Sequence, residues 1–199
     1  MIFHLALLIC WSAFLLVWIS GALYNRIKGP KIVQVRRKYI VAGVFSAIII
    51  YVLAFIFRRN YVPILKITTF HSLPLQVLGT IFLMVSTSFT IWARFALGRM
   101  WSLSPALKEE HSLRTSGPYK ITRHPIYTGL FAMIAATTLA IGNVLPILFL
   151  GIIAFTLKNK IAAEEKIMIE EFGNQYLEYQ KQVPKLIPRL FPRFKKPFA

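Results

Sequence analysis

Thirteen residues, GPYKITRHPIYTG from Gly117 to Gly129, hold two prolines, two tyrosines, a lysine, an arginine and a histidine between long apolar segments. Gly117-Pro118 marks a turn. Pro125 favours an extended backbone at His124, and a loop beside a membrane needs partners for its backbone N–H and C=O groups. A bound polar cofactor supplies such partners. Further on, the run "KIAAEEKIMIEEFGNQYLEY" offers carboxylates and tyrosines with helical spacing. Lys160 and Glu164, four apart, share one face of a helix, and Ile161, Ile167 and Met168 mark another. A carboxylate there can accept from a ribose hydroxyl or face an ammonium or sulfonium.

On spacing alone each residue also has a plainer reading. His124 can cap a loop, Arg123 can anchor the chain at an interface, and Glu164 and Glu165 can form a solvated helix face. Tyr119 and Tyr127 can belong to an interfacial aromatic belt. His4 and His71 fall at the ends of apolar runs, where an interfacial place suffices. No metal-ligand spacing, phosphate-binding glycine loop or serine nucleophile elbow is present.

The elements that must position these residues read as membrane helices. The chain is 56% hydrophobic and 16% charged, with a mean hydropathy of +0.59. Apolar stretches of about 20 residues, the length that crosses a hydrocarbon core, occur at residues 1–24, Tyr39–Phe57 and Leu73–Leu97. The first is too long for a signal-peptide core and lacks a basic start, so it reads as a retained helix. The third carries Thr, Ser and Gln, which suit a face against other helices. "YTGLFAMIAATTLAI" and "VLPILFLGIIAFTL", parted by Gly142 and Asn143, form a helical hairpin. The expectation is an all-α integral membrane protein of about five transmembrane helices, the last two a hairpin. The fifth continues beyond the bilayer as a C-terminal helix to Val183, just before Pro184.

Lys and Arg outnumber acids 24 to 7, for a net charge of +17. Retained cytosolic loops and attraction to anionic lipid explain that excess without nucleic acid. With the N terminus outside, only Arg58, Arg59 and Lys66 face outward. The Gly117–Gly129 stretch, all the glutamates and the C terminus then lie in the cytosol. The tail "VPKLIPRLFPRFKKPFA" mixes prolines, bases and aromatics and suits an anionic membrane surface. Cys10 is the only cysteine, so no intrachain disulfide forms.

Several of these residues fall in register with a known pattern. His111, Leu113, Gly117, Tyr119, Arg123, His124, Pro125, Tyr127 and Gly129, then Glu164, Glu165, Phe172, Gly173, Tyr176 and Tyr179 across the hairpin, resemble the isoprenylcysteine carboxyl methyltransferase family. "LGRMWS" resembles that family's lead-in, and the likeness runs from about Leu97 to Pro184. It divides the chain into a membrane region at 1–96, a methyltransferase region at 97–184 and a basic tail at 185–199. The resemblance implies S-adenosylmethionine as methyl donor and S-adenosylhomocysteine as product. It implies a cytosolic cofactor site of His111, Ser112, Leu113, Arg114, Gly117, Tyr119, His124, Pro125, Ile126, Tyr127, Glu164 and Glu165. Lys160, Glu164, Arg123 and His124 are the implied catalytic group.

The family's leucine-valine is Leu113-Arg114 here, and its arginine one turn before the glutamate is Lys160, which loses bidentate carboxylate geometry. The implied acceptor is a lipophilic small molecule or a prenylated cysteine. Phospholipid N-methylation, methylation of a phenol or thiol, NADPH-dependent sterol-type reduction and a non-catalytic scaffold are the alternatives. Oligomeric state is not legible.

Overall fold

A computed structural model describes residues 2–35, 68–102, 106–108 and 112–189. The expected span Tyr39–Phe57, the candidate His111 and the last ten residues of the tail lie outside the described residues.

Helix α1 (Ile2–Lys28) is about 40 Å long at 1.5 Å per residue. It buries Leu7, Cys10, Trp11 and Phe14, spaced three and four apart, and exposes Leu5, Ile9, Leu16, Ile19 and Leu23. Helix α2 (Leu73–Leu97) turns its polar side inward: Thr80, Thr87, Thr90 and Arg94 are buried, while Leu78, Ile81, Val85 and Phe95 are exposed. Its hydroxyls donate to carbonyls one turn back, Thr87 to Leu83 at 2.7 Å and Thr90 to Ser86 at 2.6 Å. Hydroxyls satisfied within the helix and apolar groups outside suit a hydrocarbon solvent. Both helices are long and apolar enough to cross a membrane, α2 together with the 3-10 turn that follows it.

Helix α3 (Pro125–Ile141) packs along α2 more extensively than any other pair of described elements. Small residues allow the approach: a Cβ at Gly129 would fall on Thr90 Oγ1 and one at Gly79 on the backbone of Ala140. Trp11 of α1 donates from Nε1 to Thr137 Oγ1 at 3.1 Å, tying the first helix to the third. Gly142, at φ 63°, caps α3 in the left-handed conformation, and its N–H reaches the carbonyls of Leu139 and Thr138. Asn143 Oδ1 accepts from Leu145 N–H at 2.8 Å and so starts α4 (Leu145–Phe172). That is the expected hairpin.

Two features depart from the expectation. The helix predicted to run unbroken to Val183 stops at Phe172, because Gly173 takes φ 50° and ψ −125°; a separate helix α5 (Asn174–Gln182) follows. A short antiparallel pair, β1 (Ile32–Val35) with β2 (Ala106–Lys108), joins the loops after α1 and α2. It gives backbone groups near the cavity their partners.

Candidate active site

The Gly117–Gly129 stretch folds as a 3-10 turn (Gly117–Lys120) leading into α3. Tyr119 and Pro118 are buried in it. His124 occupies the N-cap of α3 at φ −122° and ψ 62°. The backbone here is not held by the turn alone. Arg123 N–H donates to Pro184 O at 2.8 Å and His124 N–H to Lys185 O at 3.1 Å, and Thr128 Oγ1 donates to Leu186 O at 2.6 Å. The C-terminal segment after α5 is therefore a strap across the start of α3.

The break at Gly173 turns α5 back toward this turn. Tyr176, Tyr179 and Val183 form a buried cluster with Leu113, Met168 and Phe172 alongside. Tyr179 donates its hydroxyl to Tyr119 O at 2.6 Å. Burial pushes the Tyr119 and Tyr179 phenols well up, with the neighbouring phenol charges adding to the shift, so both stay protonated.

The two adjacent glutamates of α4 have different environments. Glu165 is buried, and its oxygens are fully engaged: Oε1 accepts from Arg123 Nε at 3.0 Å and Nη2 at 2.8 Å, and Oε2 pairs with Lys185 Nζ at 2.8 Å. Burial alone would raise its pKa, but hydrogen bonds from His124, Lys185 and Arg123 pull it down to about 2. Arg123 Nη1 also donates to the carbonyls of Gln180 and Val183. Glu164 lies one position further round the helix and faces a cavity. Its Oε1 accepts from the Tyr127 hydroxyl at 2.8 Å and lies 3.7 Å from Lys160 Nζ.

His124 sits between the two carboxylates, with Nδ1 3.5 Å from Glu164 Oε2 and Nε2 3.4 Å from Glu165 Oε1. Burial disfavours its charged form, yet the two carboxylates outweigh that and raise its pKa. Both ring nitrogens facing acceptors suits the imidazolium. Glu164 is held below the usual carboxylate range despite its burial, chiefly by His124 and Lys160.

The cavity lies between the turn, α4 and the end of α2, and its volume is ≈ 160 Å³. Of the candidate residues, Ser112, Leu113, Arg114, Tyr119, Arg123, His124, Pro125, Ile126, Tyr127, Lys160 and Glu164 line it. Gly117 and Glu165 are not on its wall. Gly117, at φ 59°, sets the turn, and Glu165 stands behind Arg123 and His124. Trp18, Met100 and Trp101, which no sequence pattern placed at a site, also line the cavity, as do Tyr176 of the family pattern and Ile167 of the apolar helix face. Trp101 falls in the noted "LGRMWS", but no pattern marks Trp18 within its apolar run. Trp18 meets Trp101 edge to face with centroids 5.7 Å apart, and the Arg94 guanidinium lies 4.4 Å from the Trp101 ring centroid. The wall is thus apolar toward α1 and α2 and polar around Glu164.

That donor set fits a sulfonium nucleoside. Glu164 presents a carboxylate for a cationic or hydroxyl group, Ser112 and Arg114 offer donors for a carboxylate, and the tyrosines supply flat faces for a purine. Among the described residues no group of three or more His, Cys, Asp or Glu could hold a metal ion.

The sequence profile of the isoprenylcysteine carboxyl methyltransferase (ICMT) family matches residues 77–170. The chain is 33% identical over 81 residues to a protein-S-isoprenylcysteine O-methyltransferase of Schizosaccharomyces pombe, covering 40% of this chain and 34% of that one. It is 38% identical over 88 residues to methanethiol S-methyltransferase 2 of Bradyrhizobium diazoefficiens, covering 41% of this chain and 31% of that one. The matches thus span about a third of these relatives' length. Among solved structures, the eukaryotic intramembrane Ras methyltransferase ICMT without a monobody aligns with a TM-score of 0.61 at 24% identity, over 92% of this chain and 67% of that one. The fold is shared.

Proposed function

We infer that this chain, whose residues 77–170 match the isoprenylcysteine carboxyl methyltransferase family profile, transfers a methyl group from S-adenosylmethionine to a lipophilic acceptor at a membrane. The observation that carries the reading is one cavity of two characters, lined by the polar Glu164, His124 and Tyr127 and by the apolar Trp18, Leu97, Trp101 and Ile167. A polar donor and an apolar acceptor meet where these walls join.

S-adenosylmethionine, when bound, supplies an electrophilic methyl on a sulfonium sulfur. Glu164, Ser112, Arg114 and Tyr119 would hold it, and the main tasks of the protein are alignment and exclusion of water. His124 and Arg123 hold the turn in register through Glu165 and the strap. A cationic amine acceptor is disfavoured by the buried Lys160 ammonium. The relatives' names include both a carboxyl O- and a thiol S-methyltransferase, and either acceptor suits an apolar wall.

Five spans, an external N terminus and a cytosolic site follow from the basic loops, with the donor entering from the cytosol and the acceptor from the bilayer. The test is transfer of labelled methyl from S-adenosylmethionine into the organic-extractable fraction of membranes containing the protein. Wild type should label that fraction and Glu164→Ala should not, at equal protein levels. Label remaining in the aqueous phase, or equal labelling by both proteins, would contradict the reading.

A further inference from the structure

We propose that the strap after α5, residues 184–189, is a docking surface for an anionic phospholipid bilayer, and that its docking holds the candidate active site in register. The first part stands on the strap itself; the second rests on the methyltransferase reading above. Having crossed the start of α3, the strap follows that helix inward. The carbonyls of Pro184 and Lys185 accept from the backbone N–H groups of Arg123 and His124, and the carbonyl of Leu186 accepts from Thr128 Oγ1. From His124 to Thr128 is about 6 Å along the axis. Helix α3 has no charged residue along its length and sits in the apolar bundle, so each step carries the strap toward the hydrocarbon level.

The side chains match that depth. Ile187 is 83% exposed, more than any other large apolar side chain among the described residues, while Leu186 beside it packs on the core. Acyl chains remove the cost of leaving that isoleucine in water. Lys185 and Arg189 flank it, two residues away on either side. Lys185 directs one of its three donors to Glu165 Oε2 at 2.8 Å and is 47% exposed. Arg189 is exposed, gives Nη1 to the Gln182 carbonyl at 3.4 Å and meets no carboxylate among the described residues. Two cations around an apolar tip suit phosphate oxygens above acyl chains. The turn before α3 adds exposed Lys120 and Ile121. From Val183 onward the sequence has Lys185, Arg189, Arg193, Lys195 and Lys196 and no acid. That charge favours an anionic over a zwitterionic surface, by roughly fivefold for each base that reaches the headgroups.

Docking reaches the site because the strap is bonded to its frame. Its carbonyls fix the backbone at Arg123 and His124, and Lys185 shares Glu165 with both of those side chains. Backbone hydrogen bonds each contribute modestly and a half-exposed ion pair less, which puts the strap at the low-stability end of the fold. A bilayer that binds the seated strap and not the released one raises the seated fraction, and cofactor affinity rises with that fraction. Anionic lipid is then an activator that touches neither donor nor acceptor.

The test places the full chain in nanodiscs of phosphatidylcholine alone or of an equal mixture with phosphatidylglycerol. Ile187→Cys in a Cys10→Ser background carries a nitroxide, whose accessibility to oxygen and to neutral nickel ethylenediaminediacetate is read by paramagnetic resonance. S-adenosylhomocysteine affinity is measured for wild type and for the double variant Ile187→Ser, Arg189→Gln. In mixed discs the nitroxide should meet oxygen and not the nickel chelate, and in phosphatidylcholine it should meet more chelate. Wild type should bind S-adenosylhomocysteine roughly fivefold tighter in mixed discs, and the double variant equally in both. A nitroxide open to the chelate in mixed discs, closed to both probes and so covered by protein, or alike in the two lipids overturns the docking surface. Equal wild-type affinity in the two lipids, or a lipid effect that the double variant keeps, overturns the coupling. Absence of S-adenosylhomocysteine binding in either disc overturns the methyltransferase reading instead, and the nitroxide still decides the docking.

Discussion

Glu164 and Glu165 are neighbours in sequence with opposite tasks. One opens on the cavity; the other is saturated by Arg123, His124 and Lys185. Helical geometry turns successive residues about 100° apart, which makes the division possible but does not say which glutamate faces inward. That choice depends on the strap, whose place no local pattern reveals. The sign of the pH effect at Glu165 follows from its pKa of about 2 against an ordinary 4.5. Its ion pairs contribute fully above the ordinary value, and the contribution is lost as pH falls toward 2, on the order of 3 kcal/mol in all. Glu165→Gln should therefore melt at a lower temperature at pH 7, while the difference from wild type shrinks on acidification. Thermal unfolding in detergent between pH 3 and 7 measures this; a constant difference across that range would show that the pairs contribute little.

At the scale of elements, apolar length and the two-residue break at Gly142 and Asn143 made the α3–α4 hairpin legible. The inward hydroxyls of α2 were legible as well. The end of α4 was not, because "EEFGNQYLEY" keeps helical spacing through Gly173 and one glycine inside a helix is common. What decides the break is tertiary: Tyr176 and Tyr179 reach their buried places only if the axis turns at Gly173. Gly173→Ala forces a side chain onto φ 50°, where L residues are strained by roughly 1–2 kcal/mol. It should lower both the melting temperature and S-adenosylhomocysteine affinity. Gly151→Ala, a helical position with open space around its Cβ, is the control and should be neutral or stabilising by up to about 1 kcal/mol. Equal behaviour of the two variants would mean that the turn does not position α5.

For the whole molecule, the arrangement is a helical membrane bundle, apolar outside and polar at its helix contacts. At one end a loop, a kinked helix pair and a C-terminal strap enclose a cavity. Composition made the bundle legible, and the spacing of Tyr119, Arg123, His124, Tyr127 and Glu164 made the polar side of the cavity legible. The apolar part of the lining was hidden because Trp18 looks like any residue of an apolar helix until the fold brings it to the same cavity as Glu164. The central claim is that this cavity binds a sulfonium nucleoside through Glu164. The direct measurement is calorimetric titration of the purified protein with S-adenosylhomocysteine, using NADPH as the parallel ligand and Glu164→Ala as the paired variant. S-adenosylhomocysteine should bind, with affinity weakened roughly tenfold or more in the variant, and NADPH should give no heat. Binding of NADPH alone, or S-adenosylhomocysteine affinity unchanged by Glu164→Ala, would contradict the claim.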